Sequence, residues 1–143
     1  MFENILICSF APENNKHVID TSFEIAKKFN SKIIYLKCIH KELPTFLLFH
    51  TPAEKKKQEK LTKKMQETLD EARKEARNNN IAMTTESVFV ESLAEYVTNY
   101  VNRKEIDLFI ADSKPPGDIT MHDHKDIVNH IYKNIDCPIL TLK

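Results

Sequence analysis

Short apolar runs alternate with amphipathic stretches along the whole chain, and this alternation narrows the fold more than any other feature. Ile5–Ser9 is almost continuously apolar, as a strand buried on both faces must be. From Asn15 to Asn30, Val18, Ile19, Ser22, Phe23, Ala26 and Phe29 recur at helical spacing, and Asn14 or Asn15 can cap the start. Ile33–Ile39 reads as a second strand. Thr51-Pro52-Ala53-Glu54 joins a threonine cap, a proline at the first helical position and a glutamate that closes a capping box. The helix it opens runs to about Asn78, with Leu61, Met65, Leu69, Ala72 and Ala76 as a narrow apolar stripe. Thr84–Val90 is a third strand. Ser92-Leu93-Ala94-Glu95 is a second capping box, with Leu93, Val97, Tyr100 and Val101 on the inward face of its helix. Asp107–Ala111 is a fourth strand, a helix lies around Asp126–Asn134, and Pro138–Leu142 is the last strand. Such alternation requires parallel strands joined by right-handed crossovers. The expected fold class is α/β, a doubly wound parallel sheet with helices on both faces, in one domain over residues 1–143.

Composition removes several functions. The net charge is +0, with 21 Lys and Arg against 21 Asp and Glu, so the basic excess of a nucleic-acid binder is missing. There is one glycine, Gly117, where average usage would give about ten. Phosphate loops and dinucleotide fingerprints need two or three, because only a residue without Cβ lets the backbone approach a phosphate closely. The three cysteines, Cys8, Cys38 and Cys137, are odd in number and each lies in an apolar run. They read as small hydrophobes of a reducing compartment, with neither disulfide nor zinc spacing. MFENILICSF lacks the basic start and cleavage site of a signal peptide, and no apolar run reaches the ~18 residues of a membrane span. A cytoplasmic protein is expected.

The order of elements and several local strings resemble the universal stress protein family over essentially the whole chain. The strings are ENILICSF, SKIIYLKCIH, ESLAEYVTNYV, EIDLFIADS and NIDCPILTLK, with the pair IDLFIA and CPILTL the most specific part. The resemblance implies a five-stranded parallel sheet in the order 3-2-1-4-5, usually assembled as dimers. Nucleotide-binding members carry an aspartate after the first strand and a signature of Gly, two residues, Gly, nine residues and Gly-Ser or Gly-Thr after the fourth. Anchored on IDLFIA and CPIL, those signature positions are Asp112, Pro115, Lys125 and Asp126, and the aspartate position is Phe10. Cys38 stands where the second strand would line an adenine pocket, a milder departure. The chemistry agrees. Proline has no N–H to offer a phosphate, and the two carboxylates would repel one by about 1–4 kcal/mol each at ~4 Å in a wet site.

Other candidates are weaker. His122, Asp123, His124 and His130 suggest a metal, but residues two apart converge only on an extended backbone, so Asp123 or Asp126 is read as a helix cap and no metal is expected. Cys8 and Cys38 lie on strands expected to be buried, which argues against nucleophilic catalysis. Lys55–Lys57 and Lys63–Lys64 are read as a solvated helix face, since Glu54, Glu59, Glu67, Asp70, Glu71 and Glu75 interleave with them. Phe46-Leu47-Leu48-Phe49 is an apolar loop that needs a partner. With Phe10 it is expected to fill the crevice where the family holds its nucleotide; packing against a second subunit is the competing reading. The last strand, Pro138-Ile139-Leu140-Thr141-Leu142, is apolar and falls at the sheet edge in the implied order, so it is expected to pair across a two-fold axis. The expected function is therefore a non-catalytic stress-response or regulatory homodimer, without cofactor, that does not bind ATP by the usual motif. The alternative is a nucleotide-binding member with a degenerate site.

Overall fold

The computed structural model describes residues 1–41, 52–113 and 121–143. Its elements are β1 (Asn4–Ser9), α1 (Lys16–Phe29), β2 (Lys32–His40), α2 (Pro52–Asn78), β3 (Met83–Val90), α3 (Leu93–Arg103), β4 (Leu108–Asp112), α4 (Met121–Asn134) and β5 (Ile139–Leu142). The strands form one all-parallel sheet, β3-β2-β1-β4-β5, in the order the resemblance implied. Burial follows position in the sheet. Central β1 and β4 are buried almost throughout, whereas edge strands β3 and β5 are half-exposed.

The period-two alternation of the strands sorts their side chains onto two cores. On one face Val18, Phe23, Leu69 and Ala72 of α1 and α2 pack on Ile5, Ile7, Ile33 and Tyr35. On the other, Val97, Tyr100 and Ile131 of α3 and α4 pack on Leu6, Cys8, Leu36 and Phe109. Each fully buried large apolar side chain contributes about 1.5–3 kcal/mol. The expected caps of α1 and α3 form: the Asn15 side chain accepts from the Val18 N–H and Ser92 from the Glu95 N–H. With so little glycine, the left-handed positions after the first three helices fall to Asn30 (φ 54°), Asn80 (φ 58°) and Glu105 (φ 54°).

One expectation needs correction. α4 begins at Met121 rather than near Asp126, so neither Asp123 nor Asp126 is its N-cap. Nothing in MHDHKD stops the helix from propagating back, and His124 joins Ile127 and Ile131 at i, i+3 and i+7 on the inward face. Asp123 lies instead in the first turn, favourably placed against the helix dipole. Among the described residues, no helix is long and apolar enough to cross a membrane.

Candidate functional site

β1 and β4 are neighbours, with Ile7 opposite Ile110 and Cys8 opposite Ala111. The chain leaves β1 for α1 on one face and β4 for α4 on the other. At such a switch point the connections diverge, and the crevice at the carboxyl ends of the strands is where open α/β sheets take ligands.

Two groups of side chains occupy this region. Phe10, just past β1, is 4% exposed and meets the His124 ring edge-on, with centroids 5.7 Å apart. His124 is itself buried; its Nε2–H donates to the Asp112 carbonyl at 3.1 Å, while Nδ1 is buried without a partner. Burial holds the imidazole pKa below its ordinary value and so favours the neutral ring, while the Asp112 carbonyl and the Asp112 charge pull the other way. Asp112 ends β4, and its carboxylate accepts from Asn15 Nδ2 at 3.1 Å. Asn15 thus caps α1 and ties the start of that helix to the end of β4.

The second group is built around Lys37. On β2 it shares the α1 and α2 face with Tyr35 and is completely buried. Its Nζ donates to the carbonyls of Ala11 (3.2 Å), Pro12 (3.1 Å) and Glu13 (2.9 Å). Burial lowers the ammonium pKa from 10.5 to about 8, with Glu13 and Asp112 pulling the other way and Lys64 adding to the fall. Thr68 of α2 donates to the Pro12 carbonyl at 2.7 Å. Asn14 accepts from the Tyr35 hydroxyl and donates to the Thr68 carbonyl, both at 2.8 Å. The turn from β1 into α1 therefore wraps a cation, and three of its carbonyls point inward. A phosphate cradle needs N–H groups converging on the anion.

Cys38 and Cys8 are poorly placed to act as nucleophiles. Burial pushes the Cys38 thiol up to about 12 and the Cys8 thiol well above its ordinary value. Among the described residues, no group of three or more His, Cys, Asp and Glu side chains is placed to hold a metal ion. His130 is exposed on α4. Phe46, Phe49 and Pro115 lie outside the described residues, as does the side chain of His122.

No family model matches the sequence, and no curated protein matches it. Solved structures do. A universal stress protein family protein from Burkholderia pseudomallei superposes with a TM-score of 0.70 at 15% identity, covering 99% of this chain and 96% of that one. UspA from Lactobacillus plantarum gives 0.70 at 14%, covering 99% and 98%. An Arabidopsis thaliana family protein with AMP bound gives 0.65 at 11%, covering 98% and 90%. This chain has the universal stress protein fold.

On the universal stress protein fold, the positions singled out in the sequence separate. Phe10 and Asp112 meet at the crevice through His124 and Asn15, whereas Lys125 and Asp126 are exposed on α4. Cys38 is buried in the core beneath α3. Pro138 and Thr141 are exposed on the edge strand and its approach; Ile139, Leu140 and Leu142 are half-buried. Sequence reasoning missed Lys37, Tyr35 and Thr68. A signal for the first was present: a lone lysine in an otherwise apolar strand buried on both faces must find acceptors.

Proposed function

We propose that this chain is a non-catalytic, regulatory protein of the universal stress type that works as a homodimer in the cytoplasm and does not bind ATP by the family's usual motif. The observation that carries the reading is the burial of Phe10 against His124 at the carboxyl ends of β1 and β4, in the crevice where open α/β sheets take their ligands. The inward carbonyls of Ala11, Pro12 and Glu13 support it, since they offer a phosphate no donor. Free cysteines at 8, 38 and 137 suit a reducing compartment. The homodimer is supported by β5, a mostly apolar and half-exposed strand at the sheet edge.

A second reading keeps nucleotide binding. Relatives in fold have been solved with AMP, cAMP and dAMP. In this chain a groove of ≈ 400 Å³ lies beside His124, between α4 and β5, with Lys125 and Lys143 on its walls. Isothermal titration with ATP, AMP and cyclic AMP separates the two. The first reading expects no binding tighter than about 1 mM; micromolar affinity for any of them would establish the second.

A further inference from the structure

α2 is longer than the sheet it covers. Its first buried residue is Met65, so residues 52–64, about 20 Å of helix, precede the docked part, with only Gln58 and Leu61 half-buried. At 100° per residue, Lys56, Lys57, Lys60, Lys63 and Lys64 fall within an arc of about 120° that starts beside the buried stripe and turns outward from it. All five are exposed, and among the described residues none of them forms an ion pair. Within residues 52–64 no acidic side chain falls inside this arc. Glu54 lies over the inward stripe and Glu59 borders the arc, while Glu67 and Glu71 continue the same arc beyond Lys64 and bound the ridge at its C-terminal end. Lysines at i, i+3 and i+4 repel one another, which weakens an isolated helix; an anionic partner would turn that repulsion into attraction.

We infer that this lysine ridge is an interaction surface for an acidic polypeptide segment of a partner protein. Three observations select that partner. Residues 52–64 contain no arginine for bidentate contact with phosphate and no aromatic ring for base stacking, the groups that nucleic-acid surfaces use. No large apolar side chain lies in the lysine arc to insert into a bilayer, as an interfacial helix requires. The charge is also local. Residues 1–78 hold 15 Lys and Arg against 11 Asp and Glu, while residues 79–143 hold 6 against 10. That net acidic part of the chain would repel an extended polyanion that wrapped around the molecule, whereas a short acidic segment meets only the ridge.

The experiment is fluorescence anisotropy with a labelled poly-L-glutamate peptide, at several salt concentrations, on the full chain. The ridge variant carries Lys56→Gln, Lys60→Gln and Lys63→Gln; a control of equal charge change carries Lys28→Gln, Lys32→Gln and Lys133→Gln. We expect salt-sensitive binding that weakens about tenfold in the ridge variant, as the loss of three exposed ion pairs would produce, and less than about twofold in the control. All the substituted lysines are exposed, and circular dichroism verifies that the helices persist. Absence of binding by the wild-type chain, or equal loss in the two variants, would overturn the proposal. So would tighter binding to a single-stranded RNA oligonucleotide or to phosphatidylserine vesicles than to the peptide. The nucleotide titrations read a different surface, so either result stands without the other.

Discussion

A lysine among apolar strand residues is tolerable only where its ammonium finds acceptors, and Lys37 finds three consecutive carbonyls. Lys37→Met removes their common donor and should cost about 1–3 kcal/mol at pH 7 in urea unfolding. The pH dependence has a definite sign. The native ammonium titrates near 8 against 10.5 for the free side chain, so between these values the unfolded chain binds more protons. Stability contributed by Lys37 rises with pH through that window, and the gap between wild type and Lys37→Met should widen from pH 8 to 10. A narrowing gap would contradict the assignment. His124 works in the acid range. Its native pKa lies below 6.5, so its contribution is complete above pH 6.5 and is lost as the pH falls through the native value. His124→Gln keeps an N–H for the Asp112 carbonyl but cannot titrate. Its melting temperature should therefore decline less than that of the wild type between pH 7 and pH 5.

At the scale of elements, the shortage of glycine leaves its mark at helix ends. Asparagine tolerates the left-handed region, which suits Asn30 and Asn80, but Glu105 after α3 (φ 54°) bears a steric cost of about 1–2 kcal/mol. Glu105→Gly relieves it, less the larger entropy that glycine loses on folding, for a net gain of about 0.5–1 kcal/mol. Thermal unfolding should show a rise of a few degrees. Glu105→Ala, which keeps the Cβ, should show none. α2 has a different character along its length. Its second half is held by Met65, Thr68, Leu69, Ala72 and Ala76, and its first half presents lysines to solvent.

For the whole molecule, the test of assembly lies in the direction of the β5 amides. The Phe109 N–H donates to the Pro138 carbonyl at 3.0 Å and the Ser113 N–H to the Leu142 carbonyl, so residues 138, 140 and 142 turn their backbone groups toward β4. The N–H of Thr141 therefore faces the open edge, and a two-fold partner strand would bond there. Thr141→Pro deletes that donor while leaving the ladder to β4 intact. Sedimentation equilibrium at about micromolar concentration should give a dimer for the wild type and a monomer for Thr141→Pro, both with native circular dichroism. Leu140→Pro is a poorer probe, because it removes an amide that faces β4. A dimer that survives Thr141→Pro unchanged would place the interface elsewhere.

The order of nine elements, the α/β class, a cap at Asn14 or Asn15 and the cap at Ser92 were legible in the residues themselves, and the structure chose Asn15. Each depends on neighbours within a turn or on a period of two or 3.6, and such signals survive without knowledge of the rest of the chain. The sheet order followed from family likeness rather than from periodicity, since no local pattern says which strands pair. The contents of the crevice were legible only in part. Phe10 stood out as a departure from the expected aspartate, but its packing partner His124 comes from α4, far along the chain. Lys37 bonds carbonyls 24 to 26 residues away, Thr68 reaches Pro12 across 56 residues, and Asn15 reaches Asp112 across 97. The docking of Met65 and Leu69 set where α2 leaves the sheet, and so which of its lysines stand on the undocked turns. These features belong to the tertiary structure because burial, and the need of a buried polar group for a partner, exist only once distant segments have come together.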